Sequence, residues 1–303
     1  MITIELKDAD GQVVEVAAER IGFREIYKVN INEDGQEQMQ ITGQKIIFRG
    51  VNRHDTSMEN GDAVTRQEMI DDLMLMKQFN VNAIRTSHYP NNKLIYDLAD
   101  ELGLYVYAEA NVESHYGGYG DHEVAIPGED ARWVWPVMDR NMNMVELLKN
   151  HAAIIGWSYS NESTYTTIEW NDDYCFWATA MAILERDPSR LRMYERESHN
   201  YYHPYVKPSN DADPWSYEVR SQNVVDVHST QYPEASAVKS WASNTNNKLP
   251  YFEQEYEHAM GQAFGSFEEF WKLNRTMENV QGGFIWDWVD QTLETTRVDE
   301  DGN

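Results

Sequence analysis

From about residue 45 onward, short apolar runs alternate with stretches in which apolar residues recur every three or four positions. That rhythm belongs to repeated βα units. It predicts strands at 45–54, 81–88, 104–111, 154–162, 191–197, 224–232, 249–258 and 280–290. Eight parallel strands are what a closed barrel requires. The intervening helices carry their own signals. Thr65-Arg-Gln-Glu68 reads as a capping box opening a run with Met69, Ile70, Leu73, Met76 and Phe79 on one face. Residues 92–102 carry Leu94, Ile95, Leu98 and Leu102, and Gly103 stands where a helix stops. Further helices are expected at 131–149, 168–186, 234–242 and 267–278. After the eighth strand the chain is polar, so the barrel is expected to be truncated before its last helix.

Residues 1 to about 40 follow a different rule. Ile2, Ile4 and Leu6, then Val13, Val14 and Val16, flank Asp10-Gly11 in a hairpin pattern, and 21–29 reads as another strand ahead of a turn at 32–35. So few strands do not make a stable sandwich by themselves. Residues 1–40 are therefore expected to be the last strands of a β-sandwich domain with its linker, and 41–303 the barrel.

Composition narrows the partners. The 303 residues hold 25 Lys and Arg against 51 Asp and Glu, a formal net charge of −26. Nucleic acid and anionic membranes are excluded by the missing basic footprint, and no apolar run reaches the ~18 residues of a membrane span. One cysteine, Cys175, excludes an internal disulfide framework and Cys-rich zinc sites. No signal peptide is visible at residue 1, and a cytoplasmic location is expected. The 10 Trp, 18 Tyr and 9 Phe suit the flat faces of sugar rings, although cores use aromatic residues too.

The ends of the predicted strands are polar at one consistent end: Arg53-His54, Arg85 to His88, Glu109 to His115, Asn161-Glu162, Glu195 and Glu197, His228 and Tyr232, Glu253, Glu255 and His258, and Trp286-Asp287-Trp288. In a barrel that end is the reactive face. Glu162 closes the fourth strand and Glu255 lies in the seventh, across the barrel. Two carboxyl groups flanking a glycosidic bond are what its hydrolysis needs, one to protonate the leaving oxygen and one to attack or to activate water.

The motifs 48–54 (Phe-Arg-Gly-Val-Asn-Arg-His), 85–90 (Arg-Thr-Ser-His-Tyr-Pro), 109–115 (Glu-Ala-Asn-Val-Glu-Ser-His), Asn161-Glu-Ser163, 255–261 (Glu-Tyr-Glu-His-Ala-Met-Gly) and 281–291 stand in one order along the chain. In them the sequence resembles the catalytic domain of the bacterial β-galactosidases of glycoside hydrolase family 2. The resemblance implies a (β/α)8 TIM barrel behind an immunoglobulin-like sandwich, and retaining hydrolysis of terminal β-galactosides such as lactose. By it Glu255 is the nucleophile, Glu162 the general acid and then base, and Glu113, His115 and Glu162 hold Mg2+. It also implies that His54, His88, His258, Asn161, Tyr232, Trp286 and Arg85 surround the sugar. Retention calls for carboxyl groups about 5 to 5.5 Å apart. A sodium ion and a homo-oligomer are implied for the full-length enzyme.

Ser160 and Gln262 depart from the family's usual Gly and Asn. Some galactose contacts of the family come from outside this stretch, so the resemblance does not imply activity for the isolated chain. The competing readings are a β-glucuronidase of the same family, a non-catalytic sugar-binding fragment, and a metal-dependent barrel hydrolase using His54, His88 and His115. The last lacks a His-x-His pair on its first strand.

Overall fold

The computed structural model describes residues 1–115, 127, 130–163, 174–194, 203–208, 217–222 and 224–295. In chain order the strands are β1 (Ile2–Lys7), β2 (Val13–Glu19), β3 (Ile26–Asn30), β4 (Glu37–Ile41), β5 (Gln44–Lys45) and β6 (Phe48–Asn52). Then follow α1 (Arg66–Gln78), β7 (Ala83–Arg85), α2 (Lys93–Leu102), β8 (Tyr105–Glu109), α3 (Val134–Leu148), β9 (Ile154–Ser158), α4 (Tyr174–Arg186) and β10 (Leu191–Met193). The chain continues through β11 (His203–Pro208), β12 (Tyr217–Gln222), β13 (His228–Gln231), α5 (Ala235–Ser243), β14 (Tyr251–Tyr256), α6 (Phe267–Thr276) and β15 (Val280–Ile285).

Eight of these strands form one parallel sheet in the order β10-β9-β8-β7-β6-β15-β14-β13. First and last barrel strands, β6 and β15, are paired, so the sheet curls into a nearly closed barrel as the sequence predicts. Between β10 and β13 no ladder forms among the described residues. Asp226 closes that side instead: its N–H donates to the Arg192 carbonyl at 2.9 Å, and its carboxylate takes the Arg192 guanidinium in a fork at 2.8 and 3.1 Å. Burial acts against the Asp226 charge, but Arg192 outweighs it and holds the carboxyl below its usual range.

Strands buried on both faces read as continuous apolar runs, and β9 is buried at all five positions. The barrel's floor is aromatic. Phe48, Tyr107, Phe252 and Phe284 meet with ring centroids 5.1 to 5.9 Å apart. Gly156 makes room for them, since a Cβ there would lie 2.1 Å from the Tyr107 ring. Below the floor, β3, β4 and β5 form an antiparallel sheet pinned by Gln281. Its buried amide accepts from Met39 N at 2.6 Å and donates to the carbonyls of Met39 and Ile46 at 3.0 and 2.6 Å.

The helices begin and end where the sequence says. Thr65 and Glu68 close the capping box reciprocally, at 3.3 and 2.6 Å. Gly103 takes a φ of +70° to end α2. A short 3-10 turn at Ala131–Trp133 precedes α3, and of the helix expected at 168–186, residues 168–173 lie outside the described residues. The expected hairpin is β1–β2, an antiparallel ribbon with every residue exposed.

The predicted strands are longer than the ladders that form. Ladder pairing stops at Asn52, Arg85, Ser158 and Ile285, and the polar residues after each stop hang from the sheet's upper edge.

Candidate active site

Arg85, the last residue of β7, is fully buried and is the hub of that edge. Its Nε donates to Glu109 at 2.7 Å, Nη1 to Asn52 at 2.8 Å and to Glu255 Oε1 at 2.7 Å, and Nη2 to Asn161 Oδ1 at 2.8 Å. Burial opposes a guanidinium charge, yet Glu109 and Glu255 more than offset it and raise its pKa. Glu109 is likewise penalised by burial and then pulled below its usual range by Arg85 and His88.

Glu255 is 3% exposed. Besides Arg85, its Oε1 receives the Gln231 amide at 3.1 Å, and Oε2 receives the Tyr232 hydroxyl at 2.6 Å. All three partners are donors, the company an ionised carboxylate takes. The Tyr232 phenol is raised by burial and by the charge of Glu255, so it stays protonated and donates. The charge of Glu162 reaches the same phenol.

Glu162 and the residues around it form a second group, linked to the first through Asn161. Asn161 bridges to Glu113 along the backbone and donates its side-chain amide to Glu113 Oε2 at 2.7 Å. Glu162 pairs with His115. One ligand atom each from Glu113, His115 and Glu162 lies within 4.8 Å of the others. Two carboxylates and one imidazole near solvent fit a hard divalent cation that keeps several waters, the imidazole being the less usual member for magnesium. Burial raises the Glu113 carboxyl, and the Glu162 charge adds to the effect.

Three residues here hold a left-handed backbone without being glycine: His115 at φ +37°, Glu162 at +43° and Tyr232 at +47°. Such conformations cost of order 1–3 kcal/mol each and persist where the surroundings hold them.

A wall of rings completes the cleft. Trp286 stacks on His88 at 5.0 Å and meets His54 edge-on at 5.6 Å, while His258 sits 5.4 Å from Tyr232. His88 Nδ1 lies 2.8 Å from Glu109. Burial, with His88 and Arg85 nearby, pushes His54 down to about 4, so it is neutral at neutral pH. Peptide bonds 87–88 and 286–287 are cis.

The sequence-predicted residues thus gather at one end of the barrel, in two groups. Arg85, His88, Asn161, Tyr232 and Glu255 are joined by hydrogen bonds, and Glu113, His115 and Glu162 form the cation-type cluster. Other strand-end residues have different partners, Arg53 and Trp288 both donating to Asp72 of α1. His228 begins β13 and stacks on Trp241 of α5 at 4.4 Å. Glu253 is buried with neither carboxyl oxygen hydrogen-bonded among the described residues, and burial lifts its pKa to about 8. Glu195 and Glu197 lie outside the described residues. The sequence reading gives Glu109, Asn52 and Gln231 no role. A polar residue at the last ladder position of a barrel strand is the signal that could have found them.

The chain matches the family model "Glycosyl hydrolases family 2, TIM barrel domain" over residues 29–302. It is 39% identical over 300 residues to a β-galactosidase of Pseudoalteromonas haloplanktis, covering 99% of this chain and 26% of that protein. It is 38% identical to a β-galactosidase of Priestia megaterium over 98% of this chain and 26% of that one. The chain therefore spans about a quarter of the length of these relatives. Among solved structures it is similar to a Ruminococcus gnavus β-glucuronidase, with a TM-score of 0.68 and 17% identity over 99% of this chain and 52% of that one. A Parabacteroides merdae β-glucuronidase gives a TM-score of 0.66 and 21% identity over 92% and 36%. These two likenesses speak to the fold.

Proposed function

The chain belongs to glycosyl hydrolase family 2, of which it carries the TIM barrel domain, and on that premise we propose that it is the catalytic barrel of a retaining β-galactosidase. The observation that carries this reading is Glu255, buried under donors from Arg85, Gln231 and Tyr232, two of which also hold Asn161, the residue next to Glu162. The identity to named β-galactosidases favours galactosides as substrates.

In this reading Glu255 attacks the anomeric carbon while Glu162 protonates the departing oxygen; Glu162 then removes a proton from the water that releases the sugar. Asn161 meets the 2-hydroxyl, His54, His88 and His258 the other hydroxyls, and Trp286 forms the apolar floor. Arg85 and Tyr232 orient the nucleophile. Glu113, His115 and Glu162 would hold Mg2+, which when bound supplies positive charge beside the acid. Sodium, a homo-oligomer and a cytoplasmic location are proposals for the whole protein. So is the reading of 1–40 as the end of a sandwich domain, supported by the apolar side chains of β1 and β2 standing in solvent.

A β-glucuronidase would need a cation for the sugar carboxylate. Among the described residues, Arg53 and Arg85 are both buried and already paired with carboxylates of the chain, which favours the neutral sugar. The test is release of phenol from aryl β-galactosides and β-glucuronides with magnesium, using Glu255→Gln as control. Galactoside turnover that disappears in the variant supports the proposal; turnover of the glucuronide instead overturns its specificity.

A further inference from the structure

Gln231 ends β13, half-buried beside Tyr232. Its Nε2 lies 2.9 Å from Asn161 Oδ1 and 3.1 Å from Glu255 Oε1. An amide nitrogen carries two hydrogens, so it serves both acceptors at once. No other described side chain is hydrogen-bonded to both the nucleophile and the residue next to the acid except the buried Arg85.

We propose that Gln231 is a positioning residue that favours the free carboxylate of Glu255 over its glycosyl ester and thereby hastens release of the sugar. The proposal rests on the reading of Glu255 as nucleophile. In the first displacement a lone pair of Glu255 bonds to the anomeric carbon. The glycosidic C–O pair leaves with the aglycone oxygen, which takes the proton of Glu162. In the second, water gives a proton to Glu162 and its oxygen bonds to the anomeric carbon, while the electron pair of the ester C–O bond returns to Glu255. Hydrogen bonds to an ionised oxygen are stronger than those to a neutral ester. A donor on Glu255 therefore opposes the first step slightly and assists the second. Asn161 fixes that donor: its Oδ1 holds the other Gln231 hydrogen, and Arg85 holds Asn161.

The test is Gln231→Met, of similar length without an N–H, assayed on an aryl β-galactoside whose phenol is acidic enough that ester breakdown limits turnover. The expected result is a fall of about tenfold in kcat and KM together, with kcat/KM nearly unchanged. The ester trapped with a 2-deoxy-2-fluoro-β-galactosyl fluoride, followed by intact mass, should live about tenfold longer in the variant. A purely structural role would lower kcat/KM instead, and that result overturns the proposal. So does an unchanged adduct lifetime. Label found on a carboxylate other than Glu255 overturns the nucleophile reading itself, a separate outcome. A measurement without substitution guards against a misfolded variant: the Gln231 side-chain amide resonances should shift on labelling of Glu255, and their constancy overturns the proposal.

Discussion

Glu255 lies within β14, flanked by ladders to β13 and β15, and is 3% exposed under three donors. Glu162 lies four residues past the end of β9, on a left-handed backbone, against a His115 side chain that is 64% exposed. The difference follows the work proposed for each. A nucleophile that keeps its charge until it reacts gains from immobility and from fixed donors. A group that gives a proton and takes one back needs contact with water.

The contrast breaks first at Glu255. Glu255→Gln should lower turnover of every galactoside by roughly four orders of magnitude or more, whatever the leaving group, as steady-state rates will show. Glu162→Ala should be selective: a loss of about 10²–10⁴-fold for an alkyl or sugar aglycone, and much less for an acidic phenol that leaves unaided. Equal losses on both substrates would remove Glu162 from the acid role.

Stability should divide the two sides as well. Arg85→Met strands Glu109 and Glu255 without their buried partner, at a cost of about 3–5 kcal/mol in urea unfolding. On the other side, His115→Ala removes an exposed partner and should cost less than about 1 kcal/mol. Its signature is weaker magnesium binding, read by calorimetry.

A pH-dependent effect belongs to Glu253, two residues from the nucleophile. Its folded pKa is raised to about 8, against roughly 4.3 in the unfolded chain. The unfolded chain therefore loses this proton first. Stability should decline as pH rises from about 4.3 to 8 and level off above, a total on the order of a few kcal/mol at most. Glu253→Gln, scanned by denaturation across that window, should flatten the decline.

Much of this was legible in the sequence because it rests on local chemistry. The capping box at Thr65 and Glu68, the stop at Gly103 and the eight apolar runs each carry their own signal. Site residues were legible through motifs that resemble a family. Strand ends were not: His54, His88 and Glu162 continue the apolar runs in sequence, but their backbone leaves the ladder to reach the cleft. Neither was the face on which a strand acid falls. Register shifts in β14 put Glu253 and Glu255 in different surroundings despite their even spacing, and periodicity by itself does not show such shifts. Gln231 escaped because an amide gains meaning from what it touches, and its partners are 70 and 24 residues away in the sequence.

Among the described residues, seven sides of the barrel are laced by backbone ladders, while the eighth has one backbone bond, the Ser229 hydroxyl on the Tyr194 carbonyl and the Asp226–Arg192 fork. A peptide ladder does not titrate; a carboxylate does. Acid that reaches the depressed pKa of Asp226 loosens this one side while the other seven keep their bonds, so the barrel is built like a clasped bracelet, with a charge-dependent clasp between its fifth and sixth strands.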